Sequence, residues 1–373
     1  MRILVTLLLL SCFAIIFLLG IFVGIYKIFP YSELNNLKDQ LEPEITKKST
    51  IFQPKNLEYT NKISIETNTD IIEKRNELIQ FIWKTNDLPN QLPNAIENNI
   101  NDVRFDDMPN LKNIEKLTVE MEHGLSSIVY IFIPEIDNEK LIIYHQGHSG
   151  GFYNGKETIQ EFLNNGFSVA AFSMPLLGMN NQPNVEIENI GQIKIFKHNQ
   201  FVLLEKNNFS SMSYFFTPLV TVLNHVTLNY DFSDNYMVGI SGGGWASTIY
   251  PALDPRISKS FSVAGSFPLS LRLTTADVGD YEQYFPQFYS IANYLELYIL
   301  NSYGDDKEFT QIFIENDPCC FSGKLYNAFP YETIIKNKLS ILEKGQFSVF
   351  IDNTTNNHEI SQSSLQIILD KII

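Results

Sequence analysis

The longest run of apolar residues stands at the start of the chain. Ile3–Phe29 contains few polar residues and is long enough to cross about 30 Å of hydrocarbon as a helix. No small-residue cleavage site follows the run, which favours a retained anchor over a cleaved signal, and the run continues well past Cys12, which argues against a lipoprotein site there. The pattern predicts a transmembrane helix in residues 1–30, with the body outside the cytoplasm.

A polar region follows the apolar run. Residues 31–60 contain Pro43 and Pro54 and have the character of a stalk. Residues 70–84 have apolar positions at helical spacing, which predicts one amphipathic helix. We therefore assign residues 31–113 to a stalk and an N-terminal helical region. The helix could either pack on the main body or belong to the stalk.

From residue 114 the pattern becomes that of a folded domain. Alternating residues on either side of His123-Gly124 predict an antiparallel hairpin. Continuous apolar runs such as LIIYHQG and FSVAAFSMP suit strands buried on both faces, and helical segments separate them. Residues 114–373 are therefore predicted to form an α/β domain, a mostly parallel sheet flanked by helices.

Composition excludes one class of function. The formal net charge is −15, and the sequence contains no cluster of basic residues that could bind a phosphate backbone. Nucleic-acid binding is therefore not expected. The chain has three cysteines, and Cys319 and Cys320 are adjacent. We interpret this pair as two small buried apolar residues, with a disulfide bond between neighbours as the alternative.

The strongest chemical signal is a glycine-rich motif around one serine. Gly239-Ile240-Ser241-Gly242-Gly243 fits G-x-S-x-G, follows a predicted buried strand and opens a predicted helix. That context is typical of a nucleophile elbow, in which a serine occupies a sharp strand-to-helix turn. Gly239 and Gly243 remove side chains that would clash in such a turn. Ser241 is therefore the candidate nucleophile.

The order of hairpin, buried strands, elbow and late histidine resembles the α/β-hydrolase superfamily over residues 114–373, in particular its esterase and peptidase-like members. The resemblance implies an acid after the penultimate core strand and a histidine after the last one. Asp317 and His358 occupy those positions, with Glu315 and Asp352 as alternatives for the acid. A Ser241, Asp317 and His358 triad is the expected catalytic group.

The same resemblance implies an oxyanion hole made of two backbone N–H groups. Gly242 follows the nucleophile, and we choose His148, in the loop HQGHSGG, as the second donor. The side chains of His145 and His148 are expected to orient this loop. Neither a metal nor a cofactor is predicted, because no carboxylate or third histidine accompanies the pair in sequence.

Two further segments bear on substrate binding. Residues 175–208 lie where the superfamily often carries a lid. The aromatic residues of the stretch 281–298 could line an acyl pocket, although ordinary core packing is the favoured interpretation; they are Tyr281, Tyr284, Phe285, Phe288 and Tyr289.

The expected function is that of a membrane-anchored serine hydrolase that cleaves a carboxylic ester of a small-molecule acyl substrate. A serine peptidase or amidase on the same fold is one alternative. A membrane-tethered binding protein with an inactive site is the other. The sequence indicates no particular oligomeric state.

Overall fold

The computed structural model describes residues 62–272, 278–321 and 328–373. The predicted membrane span, residues 1–30, lies outside these ranges, as does the stalk-like segment of residues 31–60. None of the helices within the described ranges has the length and apolar character needed to cross a bilayer. All described residues belong to one compact unit, residues 58–373.

A nine-stranded sheet forms the centre of this unit, with strands in the order β1-β2-β3-β5-β4-β8-β9-β10-β11. The strands are β1 Ala95–Glu97, β2 Leu111–Glu120, β3 Ser126–Pro134, β4 Lys140–His145, β5 Ser168–Phe172, β8 Asp234–Ile240, β9 Ile257–Val263, β10 Glu308–Ile314 and β11 Gln346–Asp352. A separate hairpin pairs β6 Asn184–Ile187 with β7 Gly191–Lys194.

Strand direction agrees with the sequence prediction. β5, β4, β8, β9, β10 and β11 pair in parallel, whereas β1, β2 and β3 join the sheet in antiparallel pairs. β2 and β3 form the predicted hairpin, and every residue of β5 and β10 is buried. Because the six parallel strands run the same way, their carboxyl ends meet at one edge of the sheet.

Helices cover both faces of the sheet. They are α1 Asn68–Trp83, α2 Lys156–Asn164, α3 Ser213–Asn229, α4 Gly242–Leu253, α5 Tyr281–Tyr284, α6 Pro286–Ile291, α7 Tyr294–Ser302, α8 Ala328–Ile341 and α9 Gln362–Ile372. Apolar residues of α2 and α9 share one core cluster with Ile142, Val238 and Ile312 of the sheet. Trp245 of α4 is fully buried and packs against Phe216 of α3. The mostly parallel sheet flanked by helices is thus confirmed.

The described part of the N-terminal region is packed on the body. Arg75 Nε of α1 donates to the carbonyl of Ala252, 2.8 Å away, and Trp83 Nε1 donates to Thr217 Oγ1 at 2.9 Å. β1 adds a strand to the sheet, and the boundary predicted at residue 114 falls inside β2. Residues 62–113 therefore belong to the same unit as the sheet, and of the two placements left open for the predicted helix, packing on the main body is the one observed.

Candidate active site

Ser241 occupies the turn between β8 and α4. Its backbone has φ 56° and ψ −124°, in the left-handed half of conformational space that residues other than glycine seldom adopt. The Ser241 N–H donates to the carbonyl of Val263 on β9, 2.9 Å away, which ties the turn to the sheet. The predicted sequence of strand, sharp turn and helix is confirmed.

Glycine is required on both sides of this serine. A Cβ atom on Gly239 would overlap the backbone of Gly243, and one on Gly243 would overlap the carbonyl of His145. Any larger residue would push the helix away from β4 and β8. The two glycines therefore allow the tight turn that holds Ser241 at the carboxyl edge of the sheet, where its side chain is half-buried.

Asp317 and His358 lie in contact at the same edge. His358 Nδ1 is 2.8 Å from Asp317 Oδ2 and 3.0 Å from Oδ1. Asp317 Oδ1 also accepts the backbone N–H groups of Cys319 and Cys320, at 2.7 and 3.1 Å, and the carboxylate is fully buried. Since a carboxylate only accepts, Nδ1 carries the proton and the neutral ring keeps its lone pair on Nε2.

His358 Nε2 is buried and makes no hydrogen bond to any described residue, Ser241 included. His358 and Ile240, the residue before Ser241, line one cavity of about 210 Å³. Hydrogen bonds between catalytic groups are often long before substrate binds and tighten in the complex. The free Nε2 is the atom that a serine base requires.

The other candidate acids are placed differently. Asp352, at the end of β11, accepts hydrogen bonds from Ser361, Ser364 and Thr354 near the start of α9. Burial opposes its charge, but these hydrogen bonds outweigh burial and lower the pKa of Asp352. No described hydrogen bond joins Asp352 or Glu315 to His358. Of the three carboxylates, Asp317 alone contacts the histidine.

The loop after β4 touches the elbow. A Cβ atom on Gly147 would lie 2.5 Å from Ser241 Cβ and 3.1 Å from Gly242 N. Gly242 is the first residue of α4, and the first N–H groups of a helix have no acceptor within it. His148 follows Gly147 directly. The two predicted oxyanion donors, Gly242 and His148, therefore belong to segments that meet beside Ser241.

The His148 side chain enters a cluster that the sequence analysis missed. Its Nε2 lies 3.1 Å from His198 Nδ1, 3.2 Å from Asp280 Oδ2 and 3.0 Å from Glu282 Oε1. These residues stand 50 or more positions from His148, and no local spacing connects them. Only the tertiary fold brings carboxylates to this histidine.

His145, the other histidine of the loop, is buried inside the protein. Its Nδ1 lies 2.9 Å from the Gln146 carbonyl, and its ring stacks on Phe172. Burial lowers the pKa of His145 to about 4, so the ring is neutral near pH 7. It therefore supports the loop as a buried, uncharged group.

No family model matches the chain, and no curated protein matches it either. Solved structures do. Acetyl xylan esterase 1 from Thermoanaerobacterium sp. JW/SL YS485 is 15% identical with a TM-score of 0.53, covering 82% of this chain and 93% of its own. An acetyl xylan esterase from Paenibacillus sp. R4 is 12% identical with a TM-score of 0.55, and the match covers 83% of this chain and 96% of the esterase. A methylesterase is 13% identical with a TM-score of 0.58, and the match covers 84% of this chain and 66% of the methylesterase.

This chain has the α/β-hydrolase fold. In the α/β-hydrolase fold the nucleophile, acid and histidine follow one another in that order along the chain. Ser241, Asp317 and His358 have this order, and all three follow strands of the parallel part of the sheet.

Two segments cover this edge of the α/β-hydrolase core. Residues 175–208 contain the β6–β7 hairpin and a short 3-10 helix, His198–Leu204, whose first residue contacts His148. The aromatic stretch is mainly core: Tyr281, Phe285, Phe288 and Tyr289 are buried, whereas Tyr284 is exposed. Tyr289, for example, accepts a hydrogen bond from Trp245 Nε1 at 2.8 Å. The core interpretation of these residues is therefore confirmed for four of the five.

Cys319 and Cys320 are joined by a disulfide bond. Cys319 is exposed and Cys320 half-buried, so the favoured interpretation of two buried apolar residues is wrong. The bond lies in the turn after β10 whose N–H groups hold Asp317. The bond therefore lies directly beside the backbone groups that hold the candidate acid.

Proposed function

We propose that the protein hydrolyses carboxylic esters with short acyl groups through an acyl-enzyme formed on Ser241. The observation that carries this proposal is the Asp317–His358 pair, which leaves Nε2 of a neutral imidazole without a partner at the edge of the sheet that also holds the elbow. Serine hydrolases use an acid, a histidine and a serine in these three roles.

The reaction would proceed in two halves. His358 Nε2 removes the Ser241 hydroxyl proton as Oγ attacks the ester carbonyl, and it then gives that proton to the leaving alcohol as the C–O bond breaks. Water then attacks the acyl-serine while His358 Nε2 takes one of its protons, and His358 gives that proton to Ser241 Oγ as the acyl–Oγ bond breaks and the acid leaves. Asp317 stays ionised throughout and stabilises the imidazolium that forms in each half.

Charge on the carbonyl oxygen would be stabilised by the N–H groups of Gly242 and His148. The positive end of the α4 helix dipole adds to this field, because Gly242 is the first residue of that helix. Removing one such donor typically costs about 10²–10³ in rate. This assignment of donors rests on the contact between Gly147 and the elbow.

The preference for a short acyl group rests on crowding at the elbow. A Cβ atom on Gly242 would lie 2.5 Å from the His148 ring and 3.0 Å from Met174 Cε. Both side chains therefore lie directly against the residue that follows the nucleophile. Two acetyl xylan esterases and a methylesterase share the fold, which supports ester cleavage over amide cleavage and small groups over long ones.

The test uses the full chain purified in detergent. It should hydrolyse p-nitrophenyl acetate, with kcat/KM decreasing from acetate to butyrate to octanoate, and a fluorophosphonate probe should label it. Ser241→Ala should abolish both signals. Ser210→Ala is the control, because Ser210 is a buried serine three residues before α3, and this variant should keep both signals. Labelling that survives Ser241→Ala would overturn the proposal.

We also propose that residues 1–30 anchor the protein in a membrane with its body outside the cytoplasm. The apolar run Ile3–Phe29 supports the anchor, and the Cys319–Cys320 disulfide is of a kind that persists in oxidising compartments. The full chain should remain with membranes after carbonate extraction, and a chain that begins at residue 31 should be released. Retention of the shortened chain would contradict the anchor.

A further inference from the structure

We propose that His148, His198, Asp280 and Glu282 bind one zinc ion beside the elbow. Each residue offers one ligand atom, and the four atoms all lie within 4.8 Å of one another. Two imidazole nitrogens and two carboxylate oxygens form a set that suits Zn²⁺, and four protein ligands complete its usual coordination. The sequence analysis predicted no metal because it considered only the His145 and His148 pair.

Several distances in the cluster are close to those of tetrahedral coordination. Zinc bonds to nitrogen and oxygen of about 2.0–2.1 Å place neighbouring ligand atoms about 3.3 Å apart. His148 Nε2 lies 3.0–3.2 Å from His198 Nδ1, Asp280 Oδ2 and Glu282 Oε1. The other Glu282 oxygen, Oε2, lies 3.2 Å from His198 Nδ1, and one ligand atom from each of the four residues can be chosen with all separations within 4.8 Å. A small movement outward would fit the ion.

His198 is already oriented as a metal ligand. Its Nε2 lies 2.9 Å from the carbonyl oxygen of Pro175, which can only accept, so Nε2 carries the proton. In the neutral ring the lone pair then stands on Nδ1, which faces Glu282. Metal-binding histidines usually donate their other N–H to a backbone carbonyl or a carboxylate in this way.

Glu282 is the observation that points most directly to a cation. Its side chain is completely buried, and both carboxylate oxygens lack a hydrogen bond of acceptable geometry, although imidazole nitrogens stand within 3.2 Å. A buried carboxylate without hydrogen bonds is strongly unfavourable unless a positive charge stands beside it. A divalent ion would neutralise Glu282 and Asp280 together.

The ion would connect three segments of the chain. His148 comes from the loop after β4, His198 from the segment 175–208, and Asp280 and Glu282 from the region at the start of α5. With four protein ligands the site is closed, which is typical of structural rather than catalytic zinc. Its effect would be to fix the loop that carries the His148 N–H; that consequence rests on the proposed function, whereas metal binding does not.

The other described cluster of possible ligands is a weaker candidate. Cys319, Cys320 and His358 also offer nearby ligand atoms. The two sulfurs are joined in a disulfide and are not thiolates, and His358 already pairs with Asp317. We therefore assign the metal to the His148 cluster, and the experiment distinguishes the two.

The experiment measures metal, not activity. The full chain in detergent is stripped with a chelator and titrated with Zn²⁺, and separately with Co²⁺, whose tetrahedral complexes absorb strongly in the visible range. We expect one ion per chain and a tetrahedral Co²⁺ spectrum without thiolate charge-transfer bands. His198→Asn and Asp280→Asn should each weaken Zn²⁺ binding by about tenfold or more.

His225→Asn is the matched control, because His225 is a buried histidine that pairs with one carboxylate, Glu115, outside the cluster. It should bind zinc as the unmodified chain does. Asp280 is about half exposed, so Asp280→Asn should fold even if His198→Asn does not. Absence of stoichiometric zinc, unchanged affinity in Asp280→Asn, or loss of zinc only in Cys319→Ser/Cys320→Ser would each overturn the proposal.

Discussion

Two histidines near the elbow, His358 and His148, differ in the number of polar side chains that surround each ring. His358 contacts one carboxylate and keeps a ring nitrogen without a partner, whereas His148 meets a second histidine and two carboxylates at a single nitrogen. A proton can be accepted only by a free lone pair, while an ion is held by several lone pairs that point to one place. The difference supports the two proposals, proton transfer by His358 and ion binding by the His148 cluster.

The largest expected effect is the loss of kcat when His358, the proposed base, is replaced. His358→Gln removes the base, so kcat for p-nitrophenyl acetate should fall by about 10⁶-fold, as losses of a triad histidine do in other serine hydrolases. His123→Asn is the control, because His123 has φ 58° and asparagine tolerates that conformation. It should keep its rate within about twofold. Comparable losses in both variants would mean that His358 has no special role.

Asp317→Asn should have the next largest effect. The amide of asparagine can donate to His358 Nδ1, which places the ring proton on Nε2 and prevents Nε2 from accepting the serine proton. We therefore expect kcat to fall by about 10⁴-fold with the chain still folded. Asp352→Asn should instead lower the free energy of unfolding by about 1–3 kcal/mol, because serine and threonine hydroxyls near α9 lose a charged acceptor. Rates per folded molecule and urea unfolding separate the two. The reverse pattern would make Asp352 the acid.

The sequence could suggest Ser241, Asp317 and His358 as candidates because the signals for these residues are a local motif and an order along the chain. Ser241 stands between a buried strand and a helix with glycine two residues away on each side, and such a turn leaves a readable pattern. Asp317 and His358 follow the last two core strands, where the family resemblance places an acid and a histidine, but chain order left Glu315 and Asp352 open as alternatives for the acid.

The His148 cluster could not be found in this way. His198 lies 50 residues after His148, and Glu282 lies 84 residues after His198, so no helical or strand period connects them. Their contact depends on how the segment 175–208 and the start of α5 fold over the sheet edge. The placement of the helix predicted in residues 70–84 stayed open for the same reason, since Arg75 and Trp83 find their partners about 130 residues or more away.

Within the cluster, burial should separate the two carboxylates. In the presence of a chelator, Glu282→Gln should raise the free energy of unfolding by about 3 kcal/mol, because it removes a buried charge whose two oxygens lack hydrogen bonds. Asp280→Asn should change it by less than about 1 kcal/mol, since that carboxylate is largely solvated. Urea unfolding measures both. Equal effects would show that the buried carboxylate has no particular electrostatic importance.

The smallest expected effect is a dependence of stability on pH that must be separated from catalysis. His145 has a pKa of about 4 when folded, against about 6.5 in an unfolded chain. Because the unfolded state binds more protons between these values, stability is present above pH 6.5 and is lost as pH falls towards 4, by about 1 kcal/mol from pH 6 to pH 5. Urea unfolding at several pH values measures this slope.

Activity should also fall in acid, but for another reason: a protonated His358 cannot accept the Ser241 proton. The two effects differ in their response to substitution. His145→Asn should flatten the stability slope while the acid loss of rate, measured briefly at low temperature on folded protein, remains. If the substitution removed both together, the acid loss of activity would reflect unfolding, and the assignment of proton transfer to His358 would lose its support from pH.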